Sequence, residues 1–254
     1  MSSDAASDPV HTLYDQATLH DRLDAAALPE WAADHYAFFR ESMLDEDGFP
    51  CYFGVESERK GMALYTFCES TTDAAALYRL RDTLLEYLDT YEGHSERASL
   101  VTCFRPPERD LDYDGYFQRF WGVLQYLHEA DPVAWPADIP ADPSHPQFEW
   151  CFGGEAIFPT VRAPCFEKRR SRYSPHGLEI TFQPRSIFEG ITGDTEAGRQ
   201  ARETIRTRLE SYDAVCPHAD LGSWEDDDSR EWKQYMLPED PEASHRTCPF
   251  EPRV

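Results

Sequence analysis

GGEAIFPTVRAPCFEKRRSRYSPHGLEITFQP, residues 153–184, reads as a strand, a loop crowded with cations and a second strand. In its second half Leu178, Ile180 and Phe182 alternate with Glu179 and Thr181, the two-residue period of a half-buried strand. In its first half, residues 147–161 form an apolar run interrupted by Gly153 and Gly154, which marks a tight hairpin or a bulge. The loop between them is anomalous in charge. The chain carries 24 Lys+Arg against 48 Asp+Glu, yet residues 160–210 hold ten cations against seven acids. That segment is net +3 in a chain of net −24, so an anionic ligand is the expectation there.

Working outward, helices and strands mix without a regular βαβ rhythm. Pro29 starts a helix reaching about residue 45, with Trp31, Phe38, Phe39 and Met43 as its apolar stripe. FPCYFG (49–54) opens a strand, and a turn over 58–61 folds it back as a hairpin onto a strand at 62–68. Thr71 or Thr72 caps a helix carrying Leu77, Leu80, Leu84, Leu88 and Tyr91. Residues 98–104 form a further strand, and Asp112 caps a helix bearing Tyr113, Phe117, Phe120, Leu124 and Leu127. Five prolines make 131–146 irregular, and a last helix over 195–212 presents Ala197, Ala201, Ile205 and Leu209 to the core. The expected architecture is one α+β domain, a mainly antiparallel sheet of about five or more strands flanked by about four helices. Residues 1–27 read as a flexible acidic segment, 28–240 as the domain and 241–254 as a Pro-rich acidic tail.

Composition narrows the function. At 254 residues, 41% hydrophobic and 13% aromatic, the chain can bury a sizeable core. Only Lys60, Lys168 and Lys233 are lysine, and acid excess with so little lysine fits a proteome adapted to high salt. Acidity of this degree argues against nucleic acid or an anionic membrane as partner. No apolar run approaches the roughly 20 residues of a membrane helix, and the N-terminus lacks the pattern of a signal peptide. The seven cysteines include no CxxC pair, so reduced thiols in a cytoplasmic protein are expected. GxSxG, HExxH, P-loop and GxGxxG motifs are all missing, and nothing local supports a Cys–His nucleophile. Residues 226–228 are three aspartates without the alternating oxygen spacing of a calcium loop.

Three segments, in order, resemble the YqcI/YcgG family. They are FPCYFG (49–54); FGG (152–154) with RRSR (169–172) and TFQPRSIF (181–188); and LG (221–222) with SREWKQYMLP (229–238). The resemblance covers roughly residues 30–240. Some relatives look like haem-dependent N-oxygenases acting on the guanidino group of arginine or a related amino acid. It therefore implies a haem-binding, cytosolic oxygenase with a small nitrogenous substrate, dioxygen or peroxide, and an electron donor that the sequence does not identify. A non-catalytic protein binding an anionic metabolite is the competing reading.

The resemblance directs attention to particular residues. Haem iron accepts Cys thiolate, His, Met or Tyr. Cys51, in the first motif, and His218, in a proline-flanked loop before the third, are the two candidate axial ligands, with His176 able to fill the same role. Cys51 also reads as a small buried hydrophobe, and His218 as a surface-loop histidine. Several relatives carry a histidine just ahead of RRSR, where this chain has Cys165 and Phe166. If 168–172 is extended, Arg170 and Arg172 share one face, suited to haem propionates or a substrate carboxylate, and Arg169 takes the other. Trp232 and Tyr235 offer walls for a flat substrate, with Lys233 and Gln234 at its polar ends, and Arg169 is a further substrate-binding candidate. Ion pairs with surface acids, and tryptophan packing against the core, are the plainer readings of the same residues.

Overall fold

In a computed structural model of the chain, which describes residues 9–222 and 229–253, β1 (Tyr14–Asp15) and α1 (Gln16–Asp24) come first. They begin inside the stretch expected to be flexible. Val10, Tyr14 and Leu19 are buried, and a loose tail would leave those apolar side chains in water. The Asp15 side chain caps α1, accepting from the Thr18 N–H at 2.7 Å. Then follow α2 (Glu30–Met43), α3 (Tyr52–Lys60), β2 (Leu64–Cys68), α4 (Ala74–His94) and β3 (Leu100–Phe104). Asp73, and not a threonine, caps α4. The second half holds α5 (Tyr113–Glu129), β4 (Cys151–Phe152), β5 (Glu155–Arg162), β6 (Glu179–Pro184), α6 (Glu196–Tyr212) and the single turn α7 (Trp232–Tyr235).

The strands form one sheet in the order β1-β2-β3-β6-β5-β4, antiparallel throughout except for β2 and β3. That parallel pair is bridged by α4, so the expected hairpin over 49–68 does not exist. FPCYFG is a turn entering α3. Gly61 (φ 62°) ends that helix in the left-handed conformation, and the Lys60–Glu56 pair lies along its surface. The Gly153–Gly154 break is a tight hairpin turn, with both φ values positive (62° and 82°), as short β-hairpin loops demand.

Helices cover both sheet faces. Leu100, Phe104, Ile180, Phe182 and Val161 pack with α4 and α5, while Val101 and Cys103 join the cluster of Tyr36, Phe39 and Met43 from α2. Glu179, expected to point at water, is 1% exposed, because the face it shares with Cys103 and Arg162 lies beneath α2. The acidic C-terminal stretch also joins the core. Phe250 is buried against His128, Trp135 and Phe148, which contributes about 1.5–3 kcal/mol for a side chain of that size. Among the described residues no helix is long and apolar enough to cross a membrane, and all seven cysteines are free. Residues 226–228 lie outside the described residues.

Candidate functional site

Helix α6 does not rest on the sheet. Its inward stripe of Ala201, Ile205 and Leu209 faces a cavity of about 390 Å³, within the usual range for small-molecule sites. Ala201 is buried, Ile205 and Leu209 are only half-buried, and Ala197, expected inward, is exposed. The floor is the sheet face of Val101, Phe158, Thr160, Thr181 and Gln183, and one side wall carries Phe53, Met43 and Cys51. A neighbouring groove of about 650 Å³ outside α3 is rimmed by Asp45, Asp47, Lys60 and Arg208 and has much less apolar surface than the chamber. The chamber beneath α6 is the better ligand site on that ground.

Its charge matches the anomaly in the sequence. Seven arginines line it (Arg97, Arg162, Arg169, Arg172, Arg185, Arg202 and Arg206) against four acids, Glu56, Glu58, Asp213 and Glu231. Several of the seven are already engaged. Arg162 meets Glu179 at 3.2 Å and donates to Ser42 Oγ at 2.8 Å, while Arg185 pairs with Glu149 and Glu231. Arg169 donates to the carbonyls of Pro238, Cys216 and Glu239, tying the C-terminal segment to this wall. Among the described residues no carboxylate stands within ion-pair distance of Arg172 or Arg97, although Asp213 acts on the first and Glu56 on the second through space. Arg172 gives one weak bond, 3.4 Å, to the Val161 carbonyl, and Arg97 stands over the Phe53 ring at 5.6 Å. Burial pushes the Arg172 guanidinium down to about 10, still cationic at neutral pH. What accessibility it has is toward the chamber.

Cys51 is the residue at the N-cap of α3. Its thiol is half-buried on the chamber wall, and desolvation pushes its pKa up. The backbone N–H groups of Gly54 and Phe53, with the charge of Arg172, pull it back toward thiolate. Met43 and Met62 are the other sulfur donors on the wall, and neither histidine nor tyrosine lines it among the described residues.

The other residues singled out in the sequence lie elsewhere. His218 is buried behind Arg169, its Nδ1 accepting from the Asp220 N–H at 3.0 Å, and burial lowers its pKa. His176 is half-buried beside His35 and Phe38, and Cys165 packs among core residues. Residues 168–172 are not extended. A 3-10 turn, Arg170–Arg172, has three residues per turn, so Arg169 and Arg172 share the inward side. Arg170 points out to Asp45 and Asp47 and caps the Tyr212 ring at 4.5 Å. Trp232 and Tyr235 are buried against Trp121, and the Tyr235 hydroxyl accepts from the Trp150 N–H at 3.1 Å. Lys233 donates to Ser244 Oγ. From that third motif Leu221, Gly222, Glu231, Gln234 and Leu237 reach the chamber.

Arg162, Arg185, Arg202 and Arg206 belong to the cation-rich stretch 160–210 without being singled out one by one, and Arg97 lies outside it. One signal was present. Arg162 closes an otherwise largely apolar strand, EAIFPTVR, where a cation needs a buried partner.

The model of the YqcI/YcgG family matches residues 39–251. YcgG of Bacillus subtilis (strain 168) is 37% identical over 88% of this chain and 89% of its own length. YqcI of the same organism is 36% identical with the same coverage. A Streptomyces lavendulae protein named putative N(omega)-hydroxy-L-arginine synthase DcsA is 33% identical over 82% of this chain and 80% of its own length. No solved structure matches. With matches running through the cavity-forming elements from α3 to α7, the chain belongs to the YqcI/YcgG family.

Proposed function

We propose that this protein is a haem-dependent oxygenase that hydroxylates a nitrogen of a small guanidino, amino-acid-like substrate in the chamber beneath α6. The observation that carries the reading is the make-up of that chamber. A half-buried cysteine and two arginines outside any ion pair stand around a mixed floor of Val101, Phe158, Thr160, Thr181 and Gln183. The similarity to a protein named as an N-hydroxy-arginine synthase supports it. The residues fit the cofactor: the apolar side chains of Phe53, Met43, Phe158, Ile205 and Leu209 suit a flat macrocycle, Arg172 and Arg97 suit its propionates, and Cys51 suits its iron. Haem, when bound, supplies activation of oxygen for insertion into an N–H bond. With dioxygen, two electrons and two protons must also enter and one oxygen leaves as water; peroxide needs no electron donor.

The protein's own groups would do the rest. Arg172 favours the thiolate form of Cys51, and α6 keeps bulk water off the floor. Arg202 and Arg206 present charge to a substrate carboxylate, while Glu56 on α3 complements a guanidinium; Glu58 is already held by Tyr36, Tyr65 and Arg40. His218, walled off behind Arg169, is not the ligand in this reading. We read the protein as cytosolic and adapted to concentrated salt, served by a soluble electron donor.

The test is the absorption spectrum of protein from haem-supplemented cells, before and after reconstitution with hemin. A Soret band is expected, lost or shifted in Cys51→Ala and retained in His218→Ala, with the carbon monoxide complex of the wild type at the thiolate position. A preparation with no band after reconstitution sinks the oxygenase reading and leaves the chamber as a binder of an anionic metabolite.

A further inference from the structure

We propose that His35, Cys103 and Glu179 form a buried site for one divalent transition ion of borderline softness, zinc in the first instance, beneath α2 and outside the chamber. The antiparallel register of β3 and β6 sets Cys103 directly opposite Glu179, and α2 lays His35 over the pair. One ligand atom from each residue lies within 4.8 Å of the others. All three residues are at most 3% exposed.

Each residue is held at one end and open at the other. His35 Nε2 lies 3.0 Å from the Phe104 carbonyl, and the tautomer that donates there leaves Nδ1 with a bare lone pair. Glu179 Oε1 accepts from Arg162, while its buried Oε2 has no hydrogen-bond partner among the described residues. The Cys103 thiol makes no hydrogen bond among them either. Buried polar atoms left open are costly, so two of them beside a buried thiol, with a ligand atom of each residue within 4.8 Å of the others, call for an occupant. A ring N–H on a backbone carbonyl, and a carboxylate steadied by a second group, are the usual outer supports of metal ligands.

The donors choose the ion. Nitrogen, sulfur and oxygen together exclude calcium and magnesium, which take oxygen, and suit zinc or cobalt(II). As the metal–sulfur bond forms, the Cys103 proton leaves to solvent, and thiolate with carboxylate then neutralise the dication. The charge of Arg162 remains compensated by the faces of Phe38, Phe39 and Phe49 at 5.6–5.9 Å and by Ser42. Three protein ligands leave a fourth position open, and the His176 ring is 5.8 Å from that of His35.

The experiment is cobalt(II) titration of the chelator-stripped, full-length protein, followed by competition with zinc. One equivalent per chain should bind with a thiolate-to-cobalt charge-transfer band that zinc abolishes. Cys103→Ser should lack the band, and Glu179→Gln should bind at least tenfold more weakly. The absence of a band in the wild type, or an equal band in Cys103→Ser, overturns the proposal. Should either variant fail to fold by circular dichroism, X-ray absorption of the zinc-loaded wild type decides. A single sulfur at about 2.3 Å with nitrogen and oxygen neighbours supports the site, and any other sulfur count refutes it. Neither readout depends on haem.

Discussion

Arg170 and Arg172 are two residues apart and do different work. Arg172 faces the chamber outside any ion pair; Arg170 is half-exposed and shared between Asp45 and Asp47. A charge-assisted contact to a ligand is worth about 1.5–3 kcal/mol, so Arg172→Gln should weaken hemin binding by roughly 10–100-fold. Arg170→Gln removes an outer ion pair worth about 0–1 kcal/mol and should leave hemin affinity unchanged. Spectral titration of both variants checks the contrast, and equal effects would count against the chamber as the anion site. Reading the run as extended paired Arg170 with Arg172, and the three-residue turn pairs Arg169 with Arg172 instead. Periodicity was the missing fact, since nothing apolar alternates in EKRRSRYS to betray it.

At the scale of elements, the packing of the start of α6 allows one residue type. A Cβ added at Gly198 would stand 1.9 Å from the Thr192 carbonyl oxygen and 2.4 Å from that of Ile191. Both obstacles are backbone, so the helix itself must move. Gly198→Ala should therefore destabilise, by roughly 1–3 kcal/mol as overpacking does, and hydrogen exchange should show the loss first at the α6 amides. Uniform protection across α6 in the variant would refute this. Helices with long apolar stripes, such as α4 and α5, were legible from the sequence, as were β3, β6 and the break at Gly153–Gly154, whereas the cap of α4 was misplaced. The turn into α3 was not. Phe49, Tyr52 and Phe53 are β-favouring types, and the deciding signal, a left-handed Gly61 closing the helix, lies eight residues beyond Phe53. Glu179 misled for another reason. Alternation predicts which side chains oppose one another, and it cannot say that both sheet faces will be covered. Cys51 was the one candidate iron ligand that folding brought to the chamber, while six of the seven arginines around it lie in the cation-rich stretch 160–210 and Arg97 joins them through tertiary packing.

The molecule as a whole sorts its charge by depth. It is net −24, and yet seven of its 24 cations line one chamber, all but Arg206 buried or half-buried. Salt screens exposed charges over about 8–10 Å and reaches buried ones far less. An anion approaching from solution thus meets repulsion that salt removes, before it meets attraction that salt leaves largely in place. Hemin association followed by stopped flow should accelerate as potassium chloride is raised from low ionic strength, the reverse of ordinary electrostatic steering. Slower association with added salt would mean that the arginines are felt from outside. The arginine-lined chamber then acts as a kinetic filter, admitting its ligand at a rate set by the ionic strength of the surroundings.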